Sequence, residues 1–442
     1  MATQFSQMAM GVADTIMCGR SSTEDLAAVA IGAGIWLPLF LFMAGVLMAI
    51  TPTVAQLVGE KNYPQIGHVI RQSLWLALLL GLFAFFILQS ISPLLEFMDV
   101  QVDIRPIIIE YLKAISWGMP GIALFLILRY LCEGMANTFV VMIVGLLGLL
   151  LNIFINYLLI FGHGGFSAMG GVGAGWATSI THWLMVLMLF SYIFVSAFFK
   201  KIKLFSNHLK VDIYELVQLL KLGVPMGIAF FVEGSIFSII ALFIASLGTI
   251  IVAAQQVALN FSSLLFMFPL SFSMGITILV GQARGRKDYT KMLDVIKTGY
   301  FINICIAIIL AVFIVVNNSL IASLYTDNGE VIQLASQLLL FAALYQISDA
   351  IQLCSGGALR GLKDTAIPML FSVISFWIVG FPIGYILSLS DYLVPPMGAQ
   401  GFWIGLILAL TLSAILLSSR LIYQLKKFDK DQLELNTVTS SY

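Results

Sequence analysis

The sequence predicts an all-α polytopic membrane protein with about twelve transmembrane helices, arranged as two six-helix lobes related by a parallel internal repeat. Three observations carry this prediction: the composition, the spacing of apolar windows and a repeated pattern of residues. Hydrophobic residues make up 60% of the 442 residues and charged residues only 10%. The mean hydropathy is +1.02. A chain of this length with this balance is too apolar for a soluble fold.

Apolar windows of about 20 residues, long enough to cross the hydrocarbon core, predict eleven full spans. They lie at 26–50, 66–95, 106–128, 138–161, 171–199, 214–247, 249–279, 292–322, 330–356, 366–389 and 398–424. The segment 1–18 before them is apolar but short. We expect it to be the second half of a first, apparently truncated, span.

Lysine and arginine are concentrated in alternate connections between the spans. The opposite connections hold only three of the 22 basic residues, Arg20, Arg105 and Lys113. Because basic residues accumulate in cytoplasmic loops, we expect both termini to be cytoplasmic. This assignment puts Arg129 and Arg360 in cytoplasmic loops, and we expect no intramembrane lysine or arginine to pair with an acid inside the spans.

Three pairs of segments repeat along the chain. The segment 51–63 resembles 277–289, the segment 129–138 resembles 356–365, and Gly173-Ala174 matches Gly398-Ala399. Halves with an even number of spans have the same orientation, which is typical of a parallel repeat in secondary transporters, with a cavity where the lobes meet. We expect an N-terminal lobe at 1–199, a basic cytoplasmic linker at 200–213, a C-terminal lobe at 214–424 and a cytoplasmic tail at 425–442.

Three acids lie well inside apolar segments: Asp14, Glu233 and Asp349. An ionised carboxylate in hydrocarbon is costly, so an intramembrane acid is a hypothesis of function. Such an acid exchanges protons, binds a hard cation such as sodium, or pairs with a cationic substrate. The alternative is an acid that merely pairs with a buried polar group. The repeat places Gln7 opposite Glu233, on the helical face that also carries Asp14.

Polar and aromatic side chains accompany these acids at helical spacing. Asn152 and Asn156, at i and i+4, and Thr178 are candidates for cation coordination near Asp14, although intramembrane asparagines also join helices by hydrogen bonds. Phe237 lies at i+4 from Glu233. Around Asp349, Tyr345 and Gln352 share one face. Gln255 is predicted to serve either packing or the lining of a cavity.

Other classes of function find little support in the sequence. The four cysteines show no disulfide or metal spacing, and no basic block suggests nucleic acid. No phosphate-binding glycine loop is visible, so the energy source is expected to be an ion gradient. An enzyme is not expected, because the four histidines form no catalytic pattern. An ion channel remains an alternative. A second is a flippase for lipid-linked precursors, which would need a basic residue in its cavity.

Five motifs resemble the NorM-type branch of the multidrug and toxic compound extrusion (MATE) family, and the likeness covers essentially the whole chain. They are segments 12–19, 253–263, 345–349, 359–365 and 396–403. The resemblance implies two six-helix bundles that export cationic amphipathic drugs in antiport with sodium ions or protons. It implies no cofactor beyond the coupling ion and a location in the bacterial inner membrane. Cationic small molecules and membrane lipid are the expected partners, without nucleic acid, and a monomer is expected.

The resemblance also implies roles for individual residues. By motif position, Glu233 and Asp349 correspond to the cation-coupling acids of the C-terminal lobe, and Asp14 to the acid of the N-terminal lobe. Sodium is expected at these three acids if it is the coupling ion. The aromatic lining of the substrate cavity corresponds to Tyr345, Phe237 and Phe266. The chain departs from some relatives, which carry a second acid in place of Asn156 and have further residues before Met1.

Overall fold

The computed structural model describes residues 2–97, 103–204, 210–391 and 395–439, and every regular element within these ranges is helical. In these ranges, ten helices are long and apolar enough to cross a membrane. The bent pair Arg105–Ser116 and Met119–Gly134, which meet at 42°, would be an eleventh span. These spans coincide with the eleven full spans predicted from sequence, which confirms the all-α polytopic class.

The chain divides into two compact units, Met1–Gly227 and Ile228–Tyr442. The helices that lie wholly in the first unit are α1 (Ala2–Ser21), α2 (Thr23–Leu47), α3 (Ile50–Gly59), α4 (Tyr63–Gln89), α5 (Ser92–Phe97), α6 (Arg105–Ser116), α7 (Met119–Gly134), α8 (Thr138–Phe161), α9 (Gly171–Val195) and α10 (Ala197–Lys200). Helix α11 (Ile213–Ala245) contains the boundary between the units.

The second unit continues with the remaining helices. These are α12 (Thr249–Gly285), α13 (Tyr289–Ser323), α14 (Gly329–Gly361), α15 (Ala366–Val373), a π-helix (Ile374–Gly380), α16 (Phe381–Leu389) and α17 (Ala399–Thr439). The elements α15, π-helix and α16 run on without a break as one span of 24 residues.

Helix α7 is the central helix of the first unit. It packs against α3, α4 and α9, and nearly all of its residues are buried. A Cβ atom at Gly134 would lie 2.8 Å from the Cβ of Val54, so α7 and α3 approach each other closely only because this residue is glycine. Small residues permit such close approach of membrane helices.

Helix α14 has the same central place in the second unit. It packs against α12, α13 and α17, and the stretch from Gln352 to Leu359 is buried on all sides. A helix that is buried all round is typical of the centre of a bundle. The buried side chains of α14, among them Asp349 and Gln352, are therefore held by packing from three neighbouring helices.

The internal repeat recurs in the backbone of the turns. Lys61 and Lys287, which the alignment of 51–63 with 277–289 makes equivalent, both adopt left-handed conformations, with φ of 59° and 58°. In each turn the next amide donates to the carbonyl five residues before it: Asn62 to Leu57 at 2.9 Å and Asp288 to Ala283 at 3.0 Å. Non-glycine residues seldom adopt this conformation, so its recurrence at equivalent positions supports the alignment.

A second pair of turns repeats where 129–138 aligns with 356–365. Ala136 and Lys363 have φ of 60° and 53°. The next amide in each turn donates to the carbonyl five residues before it, Asn137 to Cys132 at 2.8 Å and Asp364 to Leu359 at 2.9 Å. The two longer matches found in the sequence therefore correspond to equivalent turns.

The third match was aligned incorrectly from sequence. Gly170 and Gly398 begin equivalent turns, with φ of 53° and 60°. Just before them, the amide of Met169 donates to the carbonyl of Leu159 and the amide of Met397 to that of Leu387, both at 2.9 Å and both ten residues back. Gly173 therefore corresponds to Gly401 and not to Gly398. The spacing between equivalent positions grows by one across the π-helix, because a π-turn accommodates one more residue than an α-turn.

The boundary between the units differs from the linker at 200–213 that the sequence suggested. Residues of α11 up to Gly227 pack with the first unit, since a Cβ atom at Gly227 would lie 2.7 Å from the carbonyl oxygen of Phe42 in α2. The linker is itself docked on α4. Arg71 donates to the carbonyls of Lys203 and Leu204 at 3.2 and 3.1 Å.

Candidate functional site

In the first unit, Asp14 lies at the centre of a hydrogen-bonded cluster. Asn156 donates from Nδ2 to Asp14 Oδ1 at 2.5 Å, and Thr178 donates from Oγ1 to Oδ2 at 3.0 Å. The same amide of Asn156 donates to Asn152 Oδ1 at 3.2 Å. The structure thus brings together all four residues predicted for this site, from α1, α8 and α9.

The cluster contains several oxygen atoms that can still accept a hydrogen bond or bind a cation. Asn152 and Asn156, one helical turn apart on α8, are buried, with exposed fractions of 1% and 0%. Asn156 Oδ1 has no hydrogen-bond partner in the described part of the chain. Rotating the Asn156 amide by half a turn would present this oxygen to Asp14 in place of the amide nitrogen. The scaffold therefore suits either a hydrogen-bonded carboxylate or a small cation bound between oxygens.

In the second unit, Glu233 on α11 receives two hydrogen bonds on a single oxygen. Gln352 Nε2 donates to Glu233 Oε1 at 3.1 Å, and Ser372 Oγ donates to the same atom at 3.0 Å. Both donors are buried, on α14 and α15. The second carboxylate oxygen, Oε2, accepts no hydrogen bond from the described residues.

Asp349 lies on the same face of α14 as Gln352, three residues earlier, and Glu233 is its charged neighbour. Asp349 is 3% exposed, and its Oδ2 has no hydrogen-bond partner within the described ranges. The amide of Gln346, also buried, has neither of its atoms paired there. Two neighbouring carboxylates with so few donors are stable only when a proton or a cation compensates one of them.

The π-helix fixes the side of the span that faces Glu233. Ser372 precedes it and contacts the carboxylate, while Trp377 within it donates from Nε1 to the carbonyl of Val232 at 3.2 Å. Two successive turns of this span therefore attach to adjacent residues of α11. Single π-turns inside α-helices occur frequently at functional sites. The sequence analysis did not identify Ser372 as a site residue.

The residues predicted to line a cavity lie in different environments. Phe237 is exposed, Phe266 is half-buried, and the half-buried ring of Tyr345 lies 6.0 Å from that of Trp403. Gln255 is buried, and its Oε1 accepts a hydrogen bond from Trp403 Nε1 at 2.7 Å. This contact favours packing over cavity lining for Gln255. Gln352, predicted as a cavity residue, donates to the carboxylate of Glu233.

The expectation that Arg129 and Arg360 lie in loops between the spans was wrong. Arg129 lies in α7 with only 5% of its side chain exposed, and it donates from Nε to Glu133 Oε1 at 2.7 Å and from Nη1 to Gln7 Oε1 at 2.8 Å. Arg360 lies in the last turn of α14 and donates from Nη2 to Ser273 Oγ at 2.6 Å. The apolar windows stopped at 128 and 356 because charge lowers hydropathy, whereas the helices continue to Gly134 and Gly361.

Comparison with known proteins identifies relatives along almost the entire chain. The family model MatE matches residues 1–158 and 225–386. Multidrug resistance protein MdtK of Yersinia pseudotuberculosis serotype O:1b (strain IP 31758) is 43% identical over 422 residues, covering 95% of this chain and 92% of the relative. MdtK of Photorhabdus laumondii subsp. laumondii is 43% identical over 438 residues, covering 98% and 95%.

Solved structures support the fold. The eukaryotic MATE transporter AtDTX14 superposes with a TM-score of 0.87 at 18% identity, covering 97% of this chain and 96% of that one. An outward-facing multidrug resistance MATE family transporter of the MOP superfamily has a TM-score of 0.85 at 18% identity, covering 97% and 94%. The resemblance inferred from the motifs is thereby confirmed: the chain belongs to the MatE family.

Proposed function

We propose that this protein is a secondary active multidrug efflux transporter that exports cationic amphipathic drugs in antiport with sodium ions or protons. One observation carries the proposal: Glu233 and Asp349 lie close together within membrane helices, and their only hydrogen-bond donors in the described chain, Gln352 and Ser372, converge on a single oxygen. The carboxylate oxygens left over are available to a proton, a sodium ion or an organic cation. The multidrug resistance relatives support this substrate class.

Antiport follows from competition for these carboxylates. A drug cation and a coupling cation cannot neutralise the same negative charge together, so binding of one favours release of the other. A ligand shifts a conformational equilibrium only through its different affinity for the two states. Exchange therefore results when the site opens alternately to the two sides of the membrane and the coupling ion is more concentrated outside.

Asp14 supplies a second candidate cation site. Its cluster offers the oxygens of Asn152, Asn156 and Thr178 in addition to the carboxylate. Sodium prefers such hard oxygen ligands. Among the described residues no group of three His, Cys, Asp or Glu side chains assembles, so a cation here would depend on amide and hydroxyl oxygens.

The rival functions have less support. A flippase for lipid-linked pyrophosphates needs a basic group free to bind phosphate. The guanidinium of Arg129 is buried against Glu133 and Gln7, and that of Arg360 donates to Ser273 and is attracted by Glu233. An ion channel is disfavoured by family membership. We assign no enzymatic reaction, because transport requires no covalent step. The proposed setting is the bacterial inner membrane, with both termini cytoplasmic, a monomer as the working form and no cofactor besides the coupling ion.

The test is ion-driven transport of a fluorescent cation by purified protein in proteoliposomes. Glu233→Gln and Asp349→Asn should each abolish transport at equal protein content. Glu330→Gln is the matched control, since Glu330 is an exposed acid in the first turn of α14, the helix that carries Asp349. Undiminished transport in both site variants would refute the proposal.

The coupling ion is identified in the same vesicles. Vesicles are loaded with the fluorescent cation and then receive either sodium at constant pH or a pH step without sodium. Release after sodium alone assigns sodium coupling, and release after the pH step alone assigns proton coupling. Asp14→Asn tested in both arms shows whether the first unit contributes to the same ion dependence.

A further inference from the structure

The guanidinium of Arg360 lies along the stripe of α14 that carries Asp349 and Gln352. Asp349, Gln352, Gly356 and Arg360 occupy positions i, i+3, i+7 and i+11, which share one helical face. Helical side chains lean toward the N-terminus of their helix, and Arg360 does so. A Cβ atom at Gly356 would lie 3.4 Å from Arg360 Nη1, so the guanidinium folds back over the glycine toward Gln352. Ser273 Oγ holds its Nη2 at 2.6 Å.

The first unit places a guanidinium at the equivalent position. By the repeat, Gly356 corresponds to Arg129 and Glu233 corresponds to Gln7. Arg129 Nη1 donates to Gln7 Oε1 at 2.8 Å. In the second unit Arg360 is the arginine that Glu233 attracts. The two arginines start from positions one helical turn apart in the repeat.

The partners of the two arginines differ. Arg129 is neutralised on its own helix by Glu133, whose Oε1 lies 2.7 Å from its Nε. The residue equivalent to Glu133 is Arg360 itself. The acid that attracts Arg360 is Glu233, across the gap between α14 and α11. Within the described ranges Arg360 forms no direct ion pair, so this attraction acts over a longer distance.

The charges balance in the same way in both units. Glu233, Asp349 and Arg360, when ionised, leave one net negative charge in the second unit. Asp14, Glu133 and Arg129 leave one in the first. A site with one net negative charge becomes neutral when it binds a single monovalent cation. A second positive charge would remain uncompensated in a medium of low polarity, which is strongly unfavourable.

We propose that Arg360 is the resident counter-cation of the Glu233–Asp349 pair and thereby makes the site select singly charged over doubly charged organic cations. The inference rests on the proposed function of this carboxylate pair and specifies its substrate class. Arg360 need not touch the drug. It is a specificity-determining residue that acts through the charge it contributes to Glu233.

The experiment compares binding of two probes to purified protein in detergent, a mono-quaternary and a bis-quaternary ammonium compound built on the same aromatic frame. A unit charge about 10 Å away, at an effective dielectric constant of about 20, changes the affinity for a monovalent cation by on the order of tenfold and for a dication by the square of that factor. Arg360→Gln should therefore strengthen binding of both probes and shift the ratio of affinities roughly tenfold toward the dication.

Two further variants distinguish the effect of the charge of Arg360 from an effect of its replacement on the structure. Arg360→Lys keeps the charge and should keep the wild-type ratio. The double variant Glu233→Gln with Arg360→Gln again leaves one net negative charge, on Asp349, and should return the ratio to that of the wild type. If Arg360→Gln alone does not fold, the double variant still tests the inference. A shift of its affinity ratio toward the dication would overturn the inference.

The outcomes distinguish this inference from the proposed function. If Arg360→Gln binds the monocation normally and keeps the wild-type ratio, the inference is wrong and the proposed function stands. If the wild type binds neither probe, or binds both with affinities unchanged by Glu233→Gln and Asp349→Asn, the proposed function itself fails.

Discussion

The buried ion pair of α7 allows a quantitative prediction of stability. Glu133 and Arg129 are 10% and 5% exposed at their side chains, and their closest atoms lie 2.7 Å apart. Replacing Glu133 by alanine leaves the buried guanidinium with one hydrogen-bond acceptor among the described residues, the neutral Oε1 of Gln7. Removing one member of a buried pair typically costs about 3–5 kcal/mol, so we expect Glu133→Ala to lower the free energy of unfolding by that amount.

The same protein contains an exposed pair for comparison. Lys113 and Glu110 lie 2.9 Å apart with side chains 40% and 58% exposed. Exposed pairs contribute about 0–1 kcal/mol, so Glu110→Ala should have little effect. Both variants are compared with the wild type by equilibrium unfolding, in which dodecyl sulfate is titrated into protein held in mild detergent micelles.

A double variant tests the cause of the loss. Replacing Arg129 by methionine and Glu133 by leucine removes both charges and keeps the volume nearly constant, so its stability should equal that of the wild type or exceed it by up to about 4 kcal/mol. The reasoning is refuted if Glu133→Ala is no more destabilising than Glu110→Ala. It is equally refuted if the double variant is as unstable as Glu133→Ala.

Two more predictions concern packing. Trp403→Phe should destabilise the second unit by about 1–3 kcal/mol, because it strands Gln255 Oε1, and Gln255 Nε2 already has no partner in the described chain; an unchanged unfolding curve would contradict this. Gly173→Ala should reduce the fraction of protein that elutes as a single folded species in detergent, because the added Cβ would lie 2.8 Å from the backbone carbonyl carbon of Leu159. Gly34→Ala is the control, since no atom lies within 4 Å of a Cβ there, and equal recovery of the two variants would refute the prediction.

The sequence predicted the helices and the acids because both differ strongly in hydropathy from the residues around them. A span is a long apolar run, and a carboxylate inside it is conspicuous, so Asp14, Glu233 and Asp349 were found without a structure. The Asp14 cluster was also accessible, since Asn152 and Asn156 are one helical turn apart. Thr178 was predicted with them, but its hydrogen bond to Asp14 Oδ2 depends on the packing of α9 against α1, which a single sequence does not encode directly.

The arginines were missed because hydropathy windows end at charged residues. Arg129 and Arg360 lie next to the predicted window ends at 128 and 356, a position in which charge is normally cytoplasmic. The structure shows that their helices continue past them and that their side chains turn back into the bundle. A helical wheel extended beyond the window would have placed Arg360 on the stripe of Asp349 and Gln352.

The π-helix was missed although its cause is visible in the sequence. Pro382 lies just after it and has no amide proton to donate to the carbonyl four residues earlier, while its ring crowds that carbonyl. The wider π-turn before the proline relieves this crowding, and the amide of Phe381 donates to the carbonyl of Phe376, five residues earlier. The inserted residue also explains why the spacing between equivalent positions of the repeat grows by one within this span.

The carboxylate partner of the arginine lies on the same helix in the first unit and on a different helix in the second, and this difference has a mechanical consequence. In the first unit the guanidinium and its carboxylate are Arg129 and Glu133, one turn apart on a single helix, so movement of neighbouring helices leaves their distance unchanged. In the second unit the guanidinium is on α14 and its carboxylate, Glu233, is on α11, a different helix. Any displacement of α11 against α14 therefore alters the field at Glu233 and its affinity for cations. By reciprocity, if Glu233 binds a cation as proposed, the bound cation biases the position of α11, and we therefore expect ion binding and helix movement to be coupled through this pair in the second unit.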